Sequence, residues 1–192
     1  MDVISKPHPQ AQPILFQHRR ALLNVFSDVM GINEIDHISI ACITPMSEVI
    51  FLSHTPSIEY QLMTSNLWHY DLLHESRFYT NIQPKLWADL YHPQKQVELH
   101  AIKQAKPRFT AGFSIPIQRD GIHLVYSFAT KSPTPHPELF FLSKLDEFKN
   151  MGHYCFNLLS ELVLPHTHER VPVPRHISRR HLTLVINNTI GA

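Results

Sequence analysis

The 192-residue sequence predicts an α/β (α+β) fold in which helices pack on an antiparallel sheet of about five strands. Two β-hairpin signals, well separated along the chain, supply the sheet. Helical periodicity before, between and after them supplies the layers that cover it. A hydrophobic content of 43% with only 17% charged residues gives such a chain a core to bury and sets it apart from disordered sequences.

Residues 1–13, rich in Pro, Gln and His, read as a loose lead-in. Over 14–30 the apolar residues Leu15, Leu22, Val25, Phe26 and Val29 recur at helical steps, and Gly31 follows as a C-terminal stop. The first hairpin alternates over 36–43, breaks at Thr44-Pro45-Met46-Ser47 and resumes over 48–52. Residues 57–106 read as short helices and loops, with a fifth strand expected around 75–82. In the last of these helices, 95–106, Val97, Ala101, Ile102 and Ala105 line one side. The second hairpin joins 110–117 to 122–129 through Asp120-Gly121, the strongest turn signal in the chain. Pro133, Pro135 and Pro137 then clear the way for a long helix, 138–164, with Phe141, Leu145, Phe148, Cys155, Leu159 and Leu162 as its buried stripe. Residues 14–164 thus form one unit. The tail, 165–192, is polar, Pro-punctuated and basic through Arg170, Arg175, Arg179 and Arg180, with a short apolar stretch at 182–186.

Composition removes several classes of function. With 17 Lys+Arg against 16 Asp+Glu, the net charge of +1 gives the whole chain no field with which to displace counterions from nucleic acid. Two cysteines make neither a disulfide scaffold nor a zinc ribbon. The N-terminus has no signal-peptide core, and no apolar run is long enough to span a membrane, so a soluble cytoplasmic protein is expected. The 5 glycines form no GxxxxGK[ST] or GxGxxG loop for phosphates. The 15 histidines invite a His-rich metal enzyme, but His69/His74 and His176/His181 lie five apart and His166/His168 two apart, off the helical ligand spacing. Cys42 and Cys155 read as small core residues, and no GxSxG or SxxK occurs. We expect no catalysis, metal or cofactor.

The denser signal is aromatic. Tyr60, Trp68, Tyr70, Phe78, Tyr79, Trp87 and Tyr91 crowd into the segment between the hairpins with Asp71 among them, and Phe109 is counted with the candidate lining rings. Rings bury the apolar part of a small amphiphile, while a carboxylate fixes an N–H donor. The competing reading makes each ring ordinary helix-on-sheet core; the cluster around Asp71 favours a pocket.

The order helix, two strands, helices, two strands, long helix resembles the PAS/GAF-like group of small-molecule sensor domains. Within it, Tyr60, Asp71, Pro84-Lys85-Leu86-Trp87-Ala88-Asp89, Gly112-Phe113-Ser114-Ile115-Pro116, Gly121 and Leu124-Val125-Tyr126-Ser127 resemble the autoinducer-binding domain of LuxR-type transcription regulators. The resemblance implies an α-β-α sandwich, a homodimer and a small amphiphilic ligand of the acyl-homoserine-lactone kind. Tyr60 and Trp87 would line the pocket, Asp71 would accept the ligand's amide N–H, and Ser127 would contact its carbonyl groups. Two positions depart from the family pattern. Leu72 follows Asp71 where the family has Pro, and the family's Trp donor four residues before Tyr60 is replaced near Pro56-Ser57-Ile58. Trp68, the nearest alternative donor, is counted as a candidate. A site that loses such a donor discriminates differently, so another ligand than a lactone, or none, is expected.

The family's DNA-reading helix-turn-helix has no counterpart in the pattern after Leu164, so DNA is a partner only for a longer protein that carries that module. A second function class stays open: an interaction module of the same fold, working through the helix 138–164, with its pocket filled by its own side chains.

Overall fold

The computed structural model describes residues 3–167; the basic stretch from Arg170 to Arg180, the apolar stretch 182–186 and His168, His176 and His181 lie outside them. The sheet has six strands rather than about five. They are β1 (Lys6–Pro7), β2 (His37–Ile43), β3 (Glu48–Ser53), β4 (Lys85–Leu86), β5 (Ala111–Arg119) and β6 (Ile122–Thr130), in the order β1-β3-β2-β6-β5-β4. The predicted hairpins are β2–β3 and β5–β6, and they meet where β2 runs antiparallel to β6. Asp120 and Gly121 both take positive φ, 50° and 80°, which a tight two-residue hairpin turn requires.

The helices are α1 (Ala11–Gln17), α2 (Arg19–Ser27), α3 (Ser57–Thr64), α4 (Ser76–Tyr79), α5 (Gln96–His100), α6 (Pro137–Leu142), α7 (Leu145–Leu159) and α8 (Leu164–Thr167). On one face of the sheet, Ile38, Ile40, Ile50, Leu52, Phe113, Ile115, Tyr126 and Phe128 pack against Leu22 and Phe26 of α2, Phe141 of α6 and the Phe148–Leu159 stripe of α7. On the other, Ala41, Val49, Phe51, Val125 and Ala129 meet α1, α3 and the connection between the hairpins. The architecture is the expected α-β-α sandwich.

Four expectations need correction. The extra strands are the short edge pieces β1 and β4, whereas 75–82 contains the helical turn α4. Phe78 and Tyr79, adjacent in sequence, are buried in the same core, which a helical turn permits and strand alternation does not. The helix read over 14–30 begins at Ala11 and is split at His18 into α1 and α2. The segment before it is anchored, with Lys6–Pro7 parallel to Glu48–Val49 and the Ser5 amide bonded to the His74 carbonyl at 2.9 Å. The helix read over 138–164 is interrupted at Ser143-Lys144, and this break brings Phe141 and Phe148 together with centroids 5.5 Å apart.

The fourth correction bears on the site. Over 95–106 the chain leaves α5 and widens into a π-helical turn, Ala101–Ala105, closed by Lys106 N–H to the Ala101 carbonyl at 2.9 Å. The extra residue per turn rotates everything after it. Of the residues expected inside, Ile102 is buried, Ala101 is half-buried, and Val97 (79% exposed) and Ala105 face outward; Leu99 and Lys103 are buried in their place.

Candidate functional site

The floor of the site is a row of small hydroxyl residues. In the observed register Ser53 pairs with Ser39, Ser39 with Ser127, and Ser127 with Ser114, so one serine from each of four neighbouring strands points toward the same helical layer. The Ser114 and Ser127 hydroxyls bond at 2.7 Å, and the Trp87 indole N–H donates to Ser114 Oγ at 3.0 Å. Trp87 lies directly on Gly112: a Cβ there would come within 2.2 Å of the ring. This is a close approach that only glycine allows.

The walls come from the connection between the hairpins. Asp71 is 2% exposed, caps the turn Leu72–His74 by accepting from the Leu73 amide at 3.3 Å, and forms an isolated antiparallel bridge with Tyr91. Its second oxygen accepts a hydrogen bond from the Lys103 ammonium at 2.7 Å, a pair with both side chains buried. Lys103 Nζ also lies 4.8 Å from the centre of the Trp87 ring and 5.4 Å from that of Tyr91. A cation held between a carboxylate and two ring faces is doubly stabilised, by charge and by the ring quadrupoles.

Around this pair, His37, Ser39, Ala41, Phe51, Glu59, His74, Trp87 and Ser127 line a cavity with about 20 Å³ of free space, room for a single water. Burial governs its ionisable groups. It pushes the Glu59 carboxyl up to about 7 and drives His74 down to about 4 and His37 to about 3, so both rings are neutral. Among the described residues, Glu59 Oε2 and His74 Nδ1 are buried without a hydrogen-bond partner.

The predicted residues fall into three groups. Asp71, Trp87 and Ser127 line the cavity together. Phe109 stands one layer behind, its ring 5.4 Å from His37. Trp68 and Tyr60 are placed elsewhere. Trp68 donates its indole N–H to the Ser5 carbonyl at 2.6 Å and stacks on His74 at 3.6 Å, so it buttresses a wall and has no free donor. Tyr60, on α3, is 41% exposed and packs edge-on against Phe16 at 5.6 Å, away from the cavity. Lys103, Glu59, His37, Ser39 and His74 complete the polar lining, and nothing in the sequence alone marks them as ligand-site residues.

Among the described residues no group of three or more His, Cys, Asp or Glu side chains is arranged to hold a metal ion. The thiols of Cys42 and Cys155 are buried, and burial raises both, Cys155 to about 12. No helix among the described residues is long and apolar enough to cross a membrane.

No family model matches the chain, and no curated protein matches its sequence. Solved structures do resemble it. A crystal structure of Escherichia coli SdiA matches with a TM-score of 0.52 at 16% identity, covering 85% of this chain and 74% of that one. The N-acylhomoserine lactone dependent LuxR family transcription factor CepR2 from Burkholderia cenocepacia matches at 0.48 and 12% identity, over 82% of this chain and 98% of that one. SdiA in complex with octanoyl-rac-glycerol matches at 0.49 and 14%, over 90% and 67%. At such identities the likeness to SdiA establishes the fold, and the resemblance to the LuxR-type autoinducer-binding domain holds as a resemblance of architecture.

Proposed function

We propose that this chain is the small-molecule-sensing domain of a LuxR-type transcription regulator, without catalytic activity, whose ligand is a small amphiphile held at Asp71. The carrying observation is a carboxylate, 2% exposed, set against Trp87 and Ser127 over a floor of serines. Lys103 meets that carboxylate at 2.7 Å, and the hydroxyl row and indole beside it suit a guest with both N–H and carbonyl groups that takes the place of the ammonium. The sandwich shared with SdiA supports the reading at the level of fold. A homodimer belongs to the same proposal, as does DNA binding by a longer protein carrying a helix-turn-helix.

The test is thermal melting of the purified protein against acyl-homoserine lactones and related acyl amides. A guest at a hundred-fold excess over Kd stabilises the fold by about 2.7 kcal/mol, a rise of about 5–10 °C for a chain of this size. Asp71→Asn should abolish the rise. If no compound shifts the melt and extraction yields no bound molecule, the proposal fails.

One observation favours a second reading, the ligand-free interaction module: the cavity is nearly filled, with about 20 Å³ left. In that case α7, which exposes Tyr154 and Leu158, carries the association, and Asp71→Ala leaves it unchanged.

A further inference from the structure

We propose that Lys103 is a tethered occupant of the ligand site, an alkylammonium that the chain supplies to itself. The inference rests on reading this cavity as the site of recognition, and it names the chemistry that fills it. Three observations converge. The Lys103 ammonium meets Asp71 at 2.7 Å and lies over Trp87 and Tyr91, a carboxylate and two rings enclosing one cation. The side chain is delivered by the inward face of the helix, four residues after the fully buried Leu99 and beside Ile102, within the π-helical turn Ala101–Ala105. The buried groups nearest the pair, Glu59 Oε2 and His74 Nδ1, have no partner among the described residues, so the cavity offers more recognition than Lys103 uses.

The consequence is a domain whose anionic centre is neutralised without a guest. An external ligand enters only by displacing the ammonium, and emptying the cage leaves a space that accepts a short primary ammonium ion and rejects its neutral analogue.

Chemical rescue tests this. Lys103→Ala removes the propylammonium portion of the side chain and should melt about 6–20 °C below the parent. Addition of n-propylammonium chloride in the tens of millimolar should recover at least half of the loss, while n-propanol and sodium chloride at equal concentration should not, and the parent should respond to none of them. If Lys103→Ala does not fold alone, refolding in n-propylammonium should recover it and refolding in n-propanol should not. A variant that melts with the parent, that is restored equally by n-propanol, or that is recovered by neither overturns the proposal. N-octanoyl-homoserine lactone, run on both proteins, separates this result from the reading above. Ammonium rescue with no lactone or amide response keeps the tethered occupant and removes the amphiphile ligand. A lactone response of the parent without ammonium rescue does the reverse.

Discussion

The two faces of the central sheet are built by the same strands and differ in nearly every physical respect. One carries large apolar side chains, Ile38, Ile40, Phe113, Ile115, Tyr126 and Phe128, against α2, α6 and α7. The other carries Ser39, Ala41, Ser114, Ser127 and Ala129, small residues that leave space above the sheet. That space is filled by an indole, two neutral histidines, a buried acid and an ion pair. The first face is held by area and shape. The second is held by hydrogen bonds and charge whose removal leaves partners stranded in low dielectric. A sheet with one face of each kind carries one apolar core and one polar one.

The sharpest way to probe the contrast is to break each face and then try to mend it. On the apolar face, Phe148→Ala should lose about 3–5 kcal/mol in urea unfolding, and no second truncation nearby should restore it. On the other face, Asp71→Ala strands the Lys103 ammonium and should lose a similar 3–5 kcal/mol. Replacing both partners, Asp71→Leu with Lys103→Met, should return stability to within about 1 kcal/mol of the parent or above it, because an apolar pair needs no desolvated charge. A double variant as weak as Asp71→Ala would mean that the pair is not the source of that face's sensitivity.

A smaller effect is expected at Gly112. The Trp87 ring occupies the place of a Cβ there, so Gly112→Ala must push a large buried ring off the serine row. Overpacking of this kind costs about 1–3 kcal/mol. Trp87 fluorescence reports whether the ring moves: a red shift is expected, and an unchanged spectrum would show that the strand yields instead.

The pH dependence separates the acid from the histidines. Glu59 keeps its proton to about 7 when folded and to 4.5 when unfolded, so its contribution is fully present below pH 4.5 and lost as pH rises to about 7. His74, at about 4, and His37, at about 3, act oppositely: their contribution is present above 6.5 and lost as pH falls toward those values. Glu59→Gln should therefore gain on the parent as pH rises, by about 2–3 kcal/mol between pH 5 and pH 8, while keeping the histidine-driven loss in acid. Parallel pH profiles for the two proteins would remove Glu59 from this account.

These contrasts also mark what the sequence makes legible. Alternation of large apolar with small or polar residues in 36–43 and 122–129, with Asp120-Gly121 between strands, identifies the hairpins: both strands are buried almost throughout, and the period of two marks two differently filled layers. Asp71 and Trp87 stand out because an acid and an indole among rings are unusual neighbours, whereas Ser127 is singled out only by the family resemblance. The serine row is invisible until the register is known, since its members come from four strands. Lys103 is hidden because a lysine on a helix reads as solvent-facing: it lies four residues after Leu99 on the buried face, whereas the apolar stripe drawn through Val97, Ala101 and Ala105 lies off that face. Tyr60 is a candidate by family spacing and Trp68 as the nearest alternative donor, and nearness along the chain does not fix the direction of a side chain.

Tyr60 yields the mildest prediction and the cleanest check on where the polar face ends. Its ring touches Phe16 at 5.6 Å on the outer side of α3, and it is 41% exposed. Tyr60→Ala should therefore change stability by no more than about 1 kcal/mol, as a partly exposed edge contact would. It should leave any ligand-induced rise in melting temperature intact, whereas Trp87→Phe, which loses the bond to Ser114, should diminish it. A Tyr60 variant that abolished the rise would require α3 to turn this ring inward when a guest binds, and the boundary between the two faces would then belong to the unliganded state alone.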